Sequence, residues 1–155
     1  MHIRLLLLYR ITSNDAPYIG INITEYYILM DTMPKNILVV EDSTLLRAVV
    51  RDALQSGGFV VSEAENGKIG LEKALAEHPD LIMLDLIMPV MDGMTMFKAL
   101  REDAWGAHVP VIMFSDTDGD KVTTWMNGEK LDFFKKENWM IEEVITKVKD
   151  RLGIA

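Results

Sequence analysis

The sequence predicts an α/β fold in which a five-stranded parallel sheet is covered by helices on both faces. Three features lead there. Short apolar runs, Ile37-Leu38-Val39-Val40 and Leu81-Ile82-Met83-Leu84 among them, read as strands buried on both sides in a parallel sheet. Such runs alternate along the chain with segments apolar at helical spacing, the pattern of consecutive βα units. Both runs also end in carboxylates, Glu41-Asp42 and Asp85. The ligand crevice of an open parallel sheet lies beyond the carboxyl ends of its strands, so the three acids are expected to converge on one edge.

Residues 36–40 form the first strand. Ser43 or Asp42 then caps a helix running to Ser56, with Leu45, Leu46, Val49, Val50 and Leu54 at helical spacing, and Gly57-Gly58 ends it. Residues 59–64 are the second strand, followed by a turn at Asn66-Gly67. A helix over 68–77 carries Ile69, Leu71 and Leu75 and stops near His78-Pro79. The third strand, 81–84, leads into a loop containing Met88-Pro89 and Asp92-Gly93, and then into a helix over 94–102. Val109-Pro110 introduces the fourth strand, 111–114, followed by a polar loop over 115–119 and a short helix to Met126, closed by Gly128. Phe133-Phe134 sits in a short fifth strand. The last helix, 141–152, places Ile141, Val144, Ile145, Val148 and Leu152 on one face.

At 155 residues, with 49% hydrophobic and 26% charged residues, the chain has the length and composition of one globular domain. The net charge is −8 and no Lys/Arg cluster is present, which argues against nucleic acid as a partner. Without cysteine, disulfides, thiolate catalysis and Cys-ligated zinc are excluded. No run approaches the roughly 18 apolar residues of a membrane span, and Leu5-Leu6-Leu7-Leu8 is too short for a signal peptide. A cytoplasmic protein without membrane contact is therefore expected. Residues 1–33 read as an extension outside the domain, which occupies 34–155. The alternative is that residues 18–30, rich in Ile and Tyr, dock on the domain as an added β-like segment.

Three carboxylates at one sheet edge repel each other unless a cation joins them, and oxygen-only ligands favour a hard ion such as Mg²⁺. The segment Asp116-Thr117-Asp118-Gly119-Asp120 is not a calcium loop, because its glycine is misplaced and no Glu stands at the twelfth position.

Residues 36–153 resemble the receiver domain of two-component response regulators. The matching residues are Glu41-Asp42, Asp85, Met88-Pro89 with Asp92-Gly93, Ser115, and a lysine at Lys136 or Lys135. The resemblance implies a flavodoxin-like (βα)5 fold with strand order 2-1-3-4-5. It implies that Asp85 accepts a phosphoryl group from a histidine kinase or a histidine phosphotransfer protein. Glu41, Asp42, Asp85 and the backbone carbonyl of Ile87 would hold Mg²⁺, with Mn²⁺ as an alternative. Ser115 and the lysine would bind phosphoryl oxygens. Ser115 and Phe133 would form the switch that remodels a protein-binding face for an unknown downstream partner. Lys136 is the preferred lysine, because it puts Phe133 at the family's aromatic position, whereas Lys135 would put Asp132 there.

This sequence departs from the family pattern at several points. Glu137 stands where proline is usual, and Asp116 stands where a small residue keeps the phosphoryl pocket open. A carboxylate at 116 either repels phosphate or points into solvent. Ile87 and Thr117 flank the path of the hydrolytic water, and Ile87 cannot orient it. The readings set beside this one are a degenerate receiver acting unphosphorylated and a haloacid-dehalogenase-type phosphatase. The phosphatase needs a second aspartate where Ile87 stands. With no output domain expected after the last helix, the chain is read as a stand-alone signalling receiver and not an enzyme.

Overall fold

The computed structural model describes residues 33–116, 132–137 and 140–154. The chain divides into two units at Pro34, and the described residues fall almost wholly in the second, Lys35–Ala155. The expected helix up to Met126, Thr117, and residues 1–32 lie outside the described residues.

Five strands, β1 (Asn36–Val40), β2 (Val60–Ala64), β3 (Leu81–Leu84), β4 (Val111–Ser115) and β5 (Asp132–Lys135), form one sheet in the order β2-β1-β3-β4-β5. Every pairing is parallel, as the alternation of strand and helix patterns predicts. Side chains of the strands alternate between two cores. Leu38, Val40, Ile82, Leu84, Val111 and Met113 enter one. Ile37, Val39, Leu81, Met83, Ile112 and Phe114 enter the other. Burial on both faces is why β1, β3 and β4 read as unbroken apolar runs.

Four described helices cover the sheet: α1 (Thr44–Ser56), α2 (Gly67–Glu77), α3 (Gly93–Arg101) and α4 (Ile141–Leu152). Side-chain oxygens of Ser43, Asn66 and Asp92 accept the otherwise unpaired amides of Leu46, Ile69 and Thr95, so each fixes where its helix begins. Asn66 is therefore a helix cap, where the sequence suggested only a turn, and α2 starts at Gly67. Phe59 lies outside β2 because its amide closes the end of α1 on the Leu54 carbonyl, at 3.1 Å. Part of the expected apolar face of α1 is not core: Val50 and Leu54 are buried and Leu46 packs partly against them, but Leu45 and Val49 are exposed. On β2, an edge strand among the described residues, the Lys73 ammonium of α2 donates to the backbone carbonyl of Glu63 at 2.7 Å. No helix of the described residues is long and apolar enough to cross a membrane.

Candidate functional site

The alternation that builds the two cores also selects the site. Glu41 continues the Ile37, Val39 face of β1, and Asp85 continues the Leu81, Met83 face of β3. Lys136 follows Phe134, which packs on that same core, by two residues. The three side chains thus leave one face of the sheet at its carboxyl edge and meet there. Backbone bonds hold the strand ends in step: the Asp85 amide donates to the Val40 carbonyl at 2.9 Å, and the Lys136 amide to the Ser115 carbonyl at 3.3 Å.

The Lys136 ammonium lies 2.6 Å from Glu41 Oε2 and 2.9 Å from Asp85 Oδ2, joining the two acids. Both acids are almost fully enclosed, at 2% and 3% exposure. Burial pushes the Glu41 carboxyl above its ordinary value of 4.5, and the neighbouring Asp85 charge adds to this; Lys136 and the Ser43 amide pull the other way without cancelling it. Burial would also lower the Lys136 ammonium, but its hydrogen bonds to Glu41 and Asp85 outweigh that and hold it above the ordinary 10.5. Oxygen atoms of Glu41, Asp42 and Asp85 all lie within 4.8 Å of one another. Three carboxylates against one ammonium leave a net local charge of −2 (−3 + 1). An all-oxygen donor set with that charge fits a hard divalent cation.

The loop after β3 is fixed from several sides. Asp85 Oδ1 accepts the Ile87 amide at 3.2 Å. The Gly93 amide donates to the Leu86 carbonyl, and the Gly67 amide at the start of α2 donates to the Met91 carbonyl, each at 3.0 Å. Between them the Met91 amide bonds the Pro89 carbonyl at 2.8 Å, forcing Val90 to φ 71°, a region unfavourable to a β-branched residue. Gly93 is required by close approach: a Cβ there would overlap the carbonyl oxygen of Asp85. Gly93→Ala should therefore destabilise the fold by about 1–3 kcal/mol, as overpacking against an immobile atom does. Urea unfolding checks this; an unchanged midpoint would mean that the loop yields freely.

The remaining expected residues fall as follows. Ser115 ends β4 at 1% exposure. Phe133, on β5 opposite Met113, packs against the other core, the one containing Leu84 and Met113. Lys135 turns outward: its side chain is 50% exposed and pairs with Glu137 at 3.2 Å, whereas Lys136 is 13% exposed. Asp42 and Asp116 are exposed, and so is the Ile87 side chain. Arg47, which no motif in the sequence singles out, donates from its guanidinium to the Glu41 carbonyl at 2.7 Å. Its only signal in the sequence is an arginine one turn into a helix, which looks like any surface arginine.

Residues 37–149 match the response regulator receiver domain family, and the chain belongs to that family. The chemotaxis protein CheY of Bacillus subtilis is 42% identical over 71 residues, covering 45% of this chain and 59% of that protein. A protein-glutamate methylesterase/protein-glutamine glutaminase of Methanosarcina acetivorans is 42% identical over 88 residues, covering 54% of this chain and 24% of that protein. The chain thus spans less than two thirds of the length of either curated relative. Among solved structures, the Vibrio cholerae chemotaxis protein CheY4 aligns with a TM-score of 0.69 at 27% identity, covering 76% of this chain and 98% of that one. The flavodoxin-like order of five parallel strands is the fold of this family, and two-component signalling is its setting.

Proposed function

We propose that this receiver domain accepts a phosphoryl group on Asp85 from a histidine kinase or histidine phosphotransfer protein and signals through a changed protein-binding face. The observation that carries the reading is the buried Asp85, held by Lys136 at 2.9 Å beside two further carboxylates. In the transfer, an Asp85 carboxylate oxygen attacks the phosphorus of phosphohistidine. A P–O bond forms and the P–N bond breaks, its electron pair leaving with the donor imidazole. Transfer of this kind needs alignment and charge compensation more than covalent help. Glu41, Asp42, Asp85 and the Ile87 carbonyl would hold Mg²⁺, which when bound supplies compensation for the phosphoryl oxygens. Lys136, already on Asp85, shifts to a phosphoryl oxygen once the carboxylate becomes an acyl phosphate. Ser115 donates its hydroxyl to another oxygen, and Phe133 repacks in response, a shift between two packings of one fold.

The chain is read as an acceptor and not a turnover enzyme, because Ile87, two residues past Asp85, has no titratable group to act as acid or base. Exposure of Asp116 supports its solvent-facing reading, which disfavours a degenerate, unphosphorylated module. The test is incubation with Mg²⁺ and labelled acetyl phosphate: stable labelling is expected, and none in the wild type would leave only the degenerate reading.

With exposed Ile87 unable to orient a water, the phosphoprotein should lose its label over minutes or longer. Loss within seconds would contradict that. Metal ligands must be deprotonated, and Glu41 is raised above 4.5, so it takes up its proton at higher pH than an ordinary carboxylate. Affinity for Mn²⁺, used as a probe, should therefore begin to fall at a higher pH than an ordinary carboxylate ligand would set, as a titration proceeds down from neutrality. A loss confined to the range of an ordinary carboxylate would count against Glu41 as the ligand that limits binding.

A further inference from the structure

Glu41 and Asp42 need their backbone held as well as their carboxylates placed. Arg47, on α1, supplies a hold that uses neither carboxylate. Its Nη1 donates to the carbonyl of Glu41 at 2.7 Å and lies 3.4 Å from that of Asp42. Its Nε lies 3.4 Å from Glu63 Oε1 on β2. Glu63 is steadied in turn by Arg51 at 3.3 Å. On its other side, Glu41 donates its amide to the carbonyl of Ala64, the residue after Glu63, at 3.0 Å. The Glu41 peptide is thus tied to β2 twice, once directly and once through the Arg47–Glu63 pair. The Arg47 side chain is 13% exposed, so water competes little for these bonds.

We propose that Arg47 is a positioning residue for the acidic pair, fixing the carbonyls of Glu41 and Asp42 so that their carboxylates converge on a divalent ion. The inference rests on the reading of those acids as an ion site. Two physical effects of Arg47 oppose each other there. Its positive charge repels a cation, while its planar fork spans two carbonyls and a carboxylate in a geometry no ammonium reproduces. Mg²⁺ tolerates little departure from octahedral geometry, so the positioning effect prevails. Groups that orient ligands from behind are typically worth about 10–100-fold in metal affinity.

The experiment is Mn²⁺ binding, followed by water-proton relaxation, with urea unfolding of each protein alongside. Arg47→Lys keeps the charge and loses the span; it should bind Mn²⁺ about tenfold more weakly, with most of its urea stability retained. Arg47→Gln should also bind more weakly, despite the lost repulsion. Glu63→Gln releases the anchor without touching Arg47 and should show a smaller loss in the same direction. Unchanged affinity in folded Arg47→Lys, or tighter binding by Arg47→Gln, overturns the proposal. If the Arg47 variants do not fold, unchanged affinity in Glu63→Gln overturns it equally. Wild-type protein that binds no Mn²⁺ defeats the ion-site reading and this inference together. Wild-type binding with unaltered variants defeats the inference alone.

Discussion

Asp85→Asn should take up no hydroxylamine-labile phosphate from acetyl phosphate, a fall of at least roughly a hundredfold against wild type, as expected when a nucleophile is removed. The amide has the same shape and keeps an oxygen to accept the Ile87 amide, which Asp85 Oδ1 accepts at 3.2 Å. What it lacks is the negative charge and the nucleophilic oxygen pair. It also removes the like charge that helps push Glu41 upward, so the variant should fold without penalty from that quarter. Retained folding with lost labelling would assign the effect to chemistry. Full labelling of Asp85→Asn would place the acceptor elsewhere and end the reading.

Lys136→Ala should produce the largest change in stability, and one that depends on the solution. Without the ammonium, the enclosed Glu41 and Asp85 carboxylates face each other uncompensated. Breaking a buried pair on one side in this way costs about 3 kcal/mol or somewhat more. Excess Mg²⁺ should restore much of the lost stability, because an ion bound only to the native state stabilises it by mass action. Lys135→Ala should change stability by less than about 1 kcal/mol, as its pair with Glu137 is exposed. Urea unfolding of both variants with chelator and with Mg²⁺ decides the matter. Equal behaviour of the two variants would refute the assignment of Lys136 to the site.

The strands were legible because the sheet is buried on both sides, so Ile37 to Val40 and Leu81 to Leu84 had to be continuously apolar. The acids were legible because parallel strands deliver their last residues to one edge. The lysine was harder. Lys135 and Lys136 differ only in which face they continue, and two adjacent phenylalanines give no clue to which of them faces which core. The structure shows Phe134 packed with Ile112 and Phe114 in the core beneath Glu41, and parity then sends Lys136 inward. Arg47 was not legible at all. Two of its partners are carbonyls, which leave no trace in a sequence, and the third, Glu63, lies on a different strand. The same holds for Val90, whose left-handed backbone is imposed by a tight turn that no glycine or asparagine announces.

The bond between Lys73 and Glu63 has a consequence for how the molecule behaves in a crowd of its own kind. In a parallel pair, alternate residues turn their backbone groups towards the neighbouring strand. The Val60 amide and the Ala64 carbonyl of β2 both face β1, so Val61 and Glu63 face away from it, on the side of β2 where no described strand pairs. The edge strand of a sheet is, where unpaired, a template on which another extended chain can add. Lys73 occupies the Glu63 carbonyl at 2.7 Å, with Arg47 and Arg51 on the side chain of the same residue. A strand approaching this side of β2 meets a lysine already on the acceptor it needs, on a strand only five residues long. Lys73 thereby occupies one of the backbone acceptors that an added strand would use.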